Sequence, residues 1–127
     1  MVNNIMFLKC SICGNLIGMI HDSSVTPVCC GNPMTLLTAN TTDAAHEKHV
    51  PVVTRNGNQI MVTVGEVEHP MIDAHYIMWI AIAGKNQTQR VTLKPNSAPS
   101  ATFQLGEDSP VTVYAYCNLH GLWAAEA

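Results

Sequence analysis

Four of the chain's five cysteines fall within its first thirty residues, as Cys10-Ser11-Ile12-Cys13 and Cys29-Cys30, and no other feature restricts the fold so tightly. A segment shorter than about 40 residues struggles to enclose an apolar core of its own, so it needs a cross-link. Disulfides want an even cysteine count and an oxidising compartment, and one between the adjacent Cys29 and Cys30 would be strained. A metal ion fits better. The two-residue gap lets a tight turn aim the sulfurs of Cys10 and Cys13 at one point, Gly14 relieves the backbone there, and Cys29-Cys30-Gly31 completes a tetrahedron. Zn²⁺ or a single Fe satisfies four thiolates, and either contributes folding free energy on binding. The spacing does not choose between them.

Near residues 38–40 the cysteine segment gives way to Asn40-Thr41-Thr42-Asp43-Ala44-Ala45, polar and without strand alternation. The expected organisation is therefore a small module over 1–38 and a second domain over 39–127. The second domain is rich in strand signals. Val52-Val53-Thr54 and Ile60 to Val64 flank Asn56-Gly57, a dipeptide that tolerates the positive φ of a tight hairpin. His75 to Ile82 is apolar enough for a central strand, closed by Gly84-Lys85-Asn86. Arg90 to Leu93, Ala101 to Leu105 and Val111 to Cys117 are further short strands, with Pro95, Pro99 and Pro110 confined to connections. The class is mainly β with little helix, an antiparallel sandwich, and a β-barrel is the architectural alternative.

Six Lys plus Arg against nine Asp plus Glu leave a net charge of -3, without a basic stripe, so nucleic acid is not an expected partner. Residues 1–9 lack the charged start and apolar core of a secretory signal, and no apolar run reaches membrane-spanning length. No membrane association and a cytoplasmic location follow as expectations. In that reducing setting cysteines remain thiols or bind metal.

A second constellation lies downstream: Cys117-Asn118-Leu119-His120, together with His49, His69 and His75. Any one histidine alone is more often an ordinary core or surface residue. Together, a soft thiolate and several imidazoles select a redox-active transition metal, and the lack of carboxylates argues against magnesium or calcium. His69 precedes Pro70, which keeps the backbone extended, and His75 is expected to open a strand six residues later. Cys117 and His120 sit where the long strand ends and Gly121 eases the bend. His21 and His46 are placed outside the site. Glu47-Lys48 puts an acid and a base beside His49, and by itself such a pair is equally well a solvated surface pair. Two other readings fit parts of the pattern. One is a blue-copper sandwich, although no methionine follows His120 at the usual distance; the other is a non-enzymatic zinc-ribbon-like module joined to an immunoglobulin-like partner domain.

Taken over nearly the whole chain, the motifs resemble the desulfoferrodoxin form of superoxide reductase. The residues that carry the resemblance are Cys-x-x-Cys with a later Cys-Cys, Glu47-Lys48-His49-Val50-Pro51-Val52, Val64-Gly65 leading to His69-Pro70-Met71 and His75-Tyr76-Ile77, and Tyr116-Cys117-Asn118-Leu119-His120-Gly121-Leu122-Trp123. The resemblance implies a desulforedoxin-like module holding Fe(Cys)₄ through Cys10, Cys13, Cys29 and Cys30, followed by an immunoglobulin-like sandwich. It implies a second iron with four equatorial imidazoles, from His49, His69, His75 and His120, an axial thiolate from Cys117, and one position open to superoxide. Glu47 would bind the oxidised iron at rest, and Lys48 would attract superoxide and organise protonation. A rubredoxin-like electron donor and a homodimer belong to the same expectation. Two positions that often carry lysine in relatives hold His46 and Ala124 here, which lowers the expected local positive charge.

Overall fold

The computed structural model describes residues 2–127 and divides them into two compact units, residues 5–38 and residues 2–4 with 39–127. In the smaller unit, β1 (Met6–Lys9) pairs antiparallel with β2 (Leu16–Met19) and with β5 (Thr35–Leu36), and β3 (Val28–Cys29) pairs with β4 (Asn32–Pro33). Its buried centre is Leu8, Cys10 and Met34, with Met6, Met19 and Cys29 packed against it. So small a core buries little apolar surface, which is why the unit depends on its sulfurs.

The larger unit begins with a single helical turn, α1 (His46–His49), followed by β6 (Pro51–Asn56), β7 (Gln59–Val64), β8 (Ile77–Ala83), β9 (Thr88–Thr92), β10 (Ser100–Gln104), β11 (Thr112–Cys117) and β12 (Gly121–Glu126). A three-stranded sheet in the order β10-β7-β6 and a four-stranded sheet in the order β12-β11-β8-β9 form the sandwich. Four strands plus three is the count of a constant-type immunoglobulin sandwich. On β7, Ile60, Val62 and Val64 alternate inward while Met61 and Thr63 face out, as a strand covered on one face requires. They meet Ile80, Ile82, Val111, Val113 and Ala115 in one continuous core.

Four details differ from the sequence expectation. Asn56 is still in the ladder opposite Gln59, and the positive φ of the turn falls on Gly57, at 61°. His75 does not open β8; it forms an isolated bridge with Ile72, and the strand begins at Ile77. A further strand, β12, follows Cys117 after a three-residue turn. Residues 46–49 form a helical turn, too short to show a period in sequence.

Residues 2–4 run along the sandwich before the chain leaves to build the cysteine unit. The Val2 N–H donates to Glu126 Oε1 at 2.9 Å, and Asn3 donates through its backbone N–H to Thr112 Oγ1 at 3.2 Å and through Nδ2 to Pro110 O at 2.8 Å. On the return, Asn40 donates its backbone N–H to Leu122 O at 3.0 Å, while its side chain donates to Ala124 O at 3.1 Å and accepts from the Ala124 N–H at 2.9 Å.

Candidate metal centres

Around the first centre the backbone does the aiming. Gly14 adopts φ 81° and donates its N–H to Cys10 O at 3.0 Å, closing the turn. Cys30 (φ 53°) and Gly31 (φ 76°) both occupy the left-handed region, a strained choice for a cysteine that brings a second pair of sulfurs round to the first. The four Sγ atoms lie within 4.8 Å of one another, Cys13 and Cys29 at 3.6 Å, and none of the cysteines is in a disulfide among the described residues. The Cys13 and Ile12 N–H groups donate to Cys10 Sγ at 3.4 Å, and Asn15 N–H donates to Cys13 Sγ at 3.4 Å. The Cys13 N–H foremost holds the Cys10 thiol down to about 6, whereas hydrogen bonding among the sulfurs, with Cys13 foremost, pushes Cys30 up to about 12. Four such sulfurs cannot all ionise together without a cation among them, and a tetrahedral metal meets that need.

The second centre gathers residues from four segments. The helical turn carries His49, and the connection after β7 carries His69. His75 lies in the turn before β8, and Cys117 and His120 flank the turn from β11 to β12. Nitrogen and sulfur atoms of His49, His69, His75 and Cys117 lie within 4.8 Å of one another. His120 joins them, its Nδ1 3.1 Å from His49 Nε2 and 3.9 Å from Cys117 Sγ. The four rings form a closed circuit. Centroids of His49 and His69, His69 and His75, His75 and His120, and His120 and His49 are 4.7, 4.6, 5.0 and 4.9 Å apart, each pair nearly perpendicular, and the His49–His75 diagonal is longer at 6.2 Å. All five sequence-chosen donors are thus brought together.

The hydrogen bonds show that the circuit fits a cation. His49 Nδ1 is 2.6 Å from Ala45 O and His69 Nδ1 is 2.7 Å from Pro70 O, so both Nδ1 atoms donate. In the neutral rings this leaves a lone pair on each Nε2, yet the two Nε2 atoms face each other at 3.2 Å. His75 Nε2 is buried with no hydrogen-bond partner. Facing lone pairs and an orphaned nitrogen are costly without a positive charge between them, and metal-bound histidines are held through the second nitrogen in this way. Burial keeps His69 down at about 4 and lowers His49 and His75, so these rings are neutral, as ligands must be. Cys117 is fully buried, and that burial pushes its thiol up against the pull of the Leu119 and His120 N–H groups, so a bound cation is what makes it a thiolate.

Two neighbours escape a reading by residue type. Trp123, fully buried, stacks on His49 with centroids 4.8 Å apart and donates its indole N–H to His120 O at 3.1 Å, steadying the ring of one ligand candidate and the backbone of another. Gly65, at φ 90°, lies beneath the helical turn, where an added Cβ would sit 2.7 Å from Lys48 Cα. Glu47 and Lys48 are exposed on that turn, and the Glu47 carboxylate is not among the donor atoms gathered within 4.8 Å. His46 is exposed and stands edge-on to Trp123, while Ala124 is buried against Asn40.

Comparison with known proteins agrees with both centres. The desulfoferrodoxin family model matches residues 41–126, and that of the desulfoferrodoxin N-terminal domain matches residues 3–37. The desulfoferrodoxin of Syntrophotalea carbinolica is 44% identical over 126 residues, covering 99% of each chain, and that of Nitratidesulfovibrio vulgaris is 44% identical over 127 residues and the full length of both. The crystal structure of the superoxide reductase from Treponema pallidum superposes with a TM-score of 0.78 at 35% identity, covering 96% of this chain and 98% of the other. Four imidazoles about one thiol exceed the two of a blue-copper site, and four thiols suit a mononuclear Fe(Cys)₄ centre. With its sandwich, its paired donor sets and full-length relatives in agreement, the chain belongs to the desulfoferrodoxin family.

Proposed function

We propose that the chain is a superoxide reductase that converts superoxide, with one electron and two protons, to hydrogen peroxide at an iron held by His49, His69, His75, His120 and Cys117. The observation that carries this is the closed circuit of four imidazoles beside a buried thiol. Iron bound there would supply the single electron and a coordination position for a small anion. With iron(II) held there, four uncharged imidazole ligands and one thiolate would give the centre a formal charge of about +1, which would favour a small anion such as superoxide despite the overall charge of -3. As a thiolate ligand Cys117 would donate electron density to an iron held there, the property that suits such a centre to releasing peroxide with the O–O bond intact. The carbonyls of Ala45 and Pro70 hold the His49 and His69 rings in the tautomer that presents Nε2. Lys48, exposed beside His49, would draw the anion in, and Glu47, exposed on the same turn, would serve as a carboxylate ligand to an oxidised iron, whose added positive charge favours one.

A small rubredoxin-like carrier returns the electron, and a homodimer in the cytoplasm completes the reading. The four-thiol centre of residues 5–38 serves as a structural cross-link, and relay of electrons and formation of the dimer are the two further roles open to it. Among the described residues no helix is long and apolar enough to cross a membrane.

Stopped-flow mixing of the reduced, iron-loaded protein with superoxide tests the activity. Peroxide without oxygen is the expected product, and oxygen evolution would show dismutation instead. In the same experiment Lys48→Ala is expected to slow the second-order step by about 10-fold and flatten its dependence on salt; an unaltered rate and salt slope remove Lys48 from the mechanism. Glu47→Ala is expected to alter the ferric visible spectrum and leave the first step within about twofold. Loss of that first step would make Glu47 part of the reaction itself.

A further inference from the structure

Three of the four imidazoles in the circuit have an evident restraint. His49 and His69 are fixed through Nδ1 by backbone carbonyls, and His120 lies in the turn whose carbonyl accepts from Trp123. His75 has no such hold on its ring: its Nε2 is buried without a partner, and although its backbone exchanges two hydrogen bonds with Ile72, at 3.0 and 3.1 Å, the residue sits outside the ladder of β8. Something else must set its direction.

The side chain of Asn118 brackets His75 from both sides. Its Oδ1 accepts from the Tyr76 N–H at 2.9 Å, and its Nδ2 donates to Ala74 O at 3.1 Å. The Asn118 backbone N–H donates to Tyr76 O at 3.2 Å. These three bonds grip residues 74–76, with His75 in the middle. They occur where the β8–β11 register shifts between Tyr116 and Cys117, so regular pairing is interrupted just where His75 needs support. A carboxamide is the side chain that can replace a peptide group on both its donating and accepting sides.

We infer that Asn118 is a positioning residue for His75, acting through the backbone on either side of it and tying that ring to the turn that carries Cys117 and His120. The inference rests on the proposed role of His75 as a ligand. Groups that orient a ligand are worth about 10–100-fold in metal affinity when removed.

The test titrates ferrous iron, without oxygen, into full-length protein whose histidine-cysteine centre has been emptied, with the four-thiol iron as internal standard. Asn118→Ala is expected to weaken binding at least ~10-fold, shift the ferric visible and electron paramagnetic resonance spectra, and leave the four-thiol signal unchanged. Added to His75→Ala, the same change should weaken binding less than ~2-fold further, because its effect passes through that ring. Wild-type affinity and spectra in Asn118→Ala, or a fully multiplicative loss in the double variant, would overturn the inference. If Asn118→Ala does not fold, Asn118→Asp gives the reading: it keeps the acceptor for Tyr76 but sets an oxygen against Ala74 O. Looser iron and altered spectra support the clamp, and wild-type values refute it. Unchanged binding in His75→Ala removes the ligand role and this inference with it, whereas weakened binding there beside an unaffected Asn118→Ala removes only the inference.

Discussion

Cys117→Ala is expected to empty the histidine-cysteine centre and lower superoxide reduction by more than ~100-fold, since even a group behind a ligand is worth about 10–100-fold. The fold should survive. Cys117 packs in the sandwich core with Ile77 and Ala115, and removing one sulfur there leaves a small cavity costing on the order of 1 kcal/mol. What is lost is the one donor of the five that a bound cation would make anionic. Metal analysis should find one iron per chain instead of two, with the absorption of the four-thiol centre intact. Two irons per chain with undiminished superoxide reduction would exclude Cys117 as a ligand and undo the proposed chemistry.

Gly65→Ala should be nearly as damaging, although it touches no donor atom. The new Cβ would lie 2.7 Å from the Lys48 Cα and carbonyl carbon, and would press still harder on Val67 O. These are backbone atoms, which cannot swing aside, and φ 90° adds its own strain. The turn carrying Glu47, Lys48 and His49 must shift or the sandwich must loosen, at a cost on the order of 4 kcal/mol, the upper end for one substitution. Gly57→Ala supplies the comparison: at φ 61° with nothing within 4 Å, it meets only the left-handed penalty, about 1–2 kcal/mol. Thermal unfolding of both variants checks the pair. Equal losses would mean that contact with Lys48 contributes nothing.

The donors are legible in the sequence because ligand chemistry belongs to residue type: sulfur and imidazole gathered in one chain narrow the choice before any geometry is known. The β7 face is legible for a similar reason, since alternation of Ile60, Val62 and Val64 states which side is covered. Other features depend on distant partners. The late start of β8 at Ile77 accompanies a register shift against β11, which no local pattern records. The stacking of Trp123 on His49 joins residues far apart in the chain, and the same tryptophan would read equally well as plain core. The turn at residues 46–49 is too short for a helical period, so the exposed placing of Glu47 and Lys48 emerges only from the fold.

The hydrogen bonds of Val2, Asn3 and Asn40 to the last hairpin give the span from Ile5 to Thr38 two moorings instead of one. A chelator that strips its four sulfurs therefore releases a closed ring of chain and not a dangling tail. A ring has fewer conformations to gain than a free end, so the penalty that returning metal must overcome is smaller, and it grows only logarithmically with the length enclosed. Severing the chain near residue 38 would forfeit that advantage and would separate residues 2–4 from the sheet edge they bind.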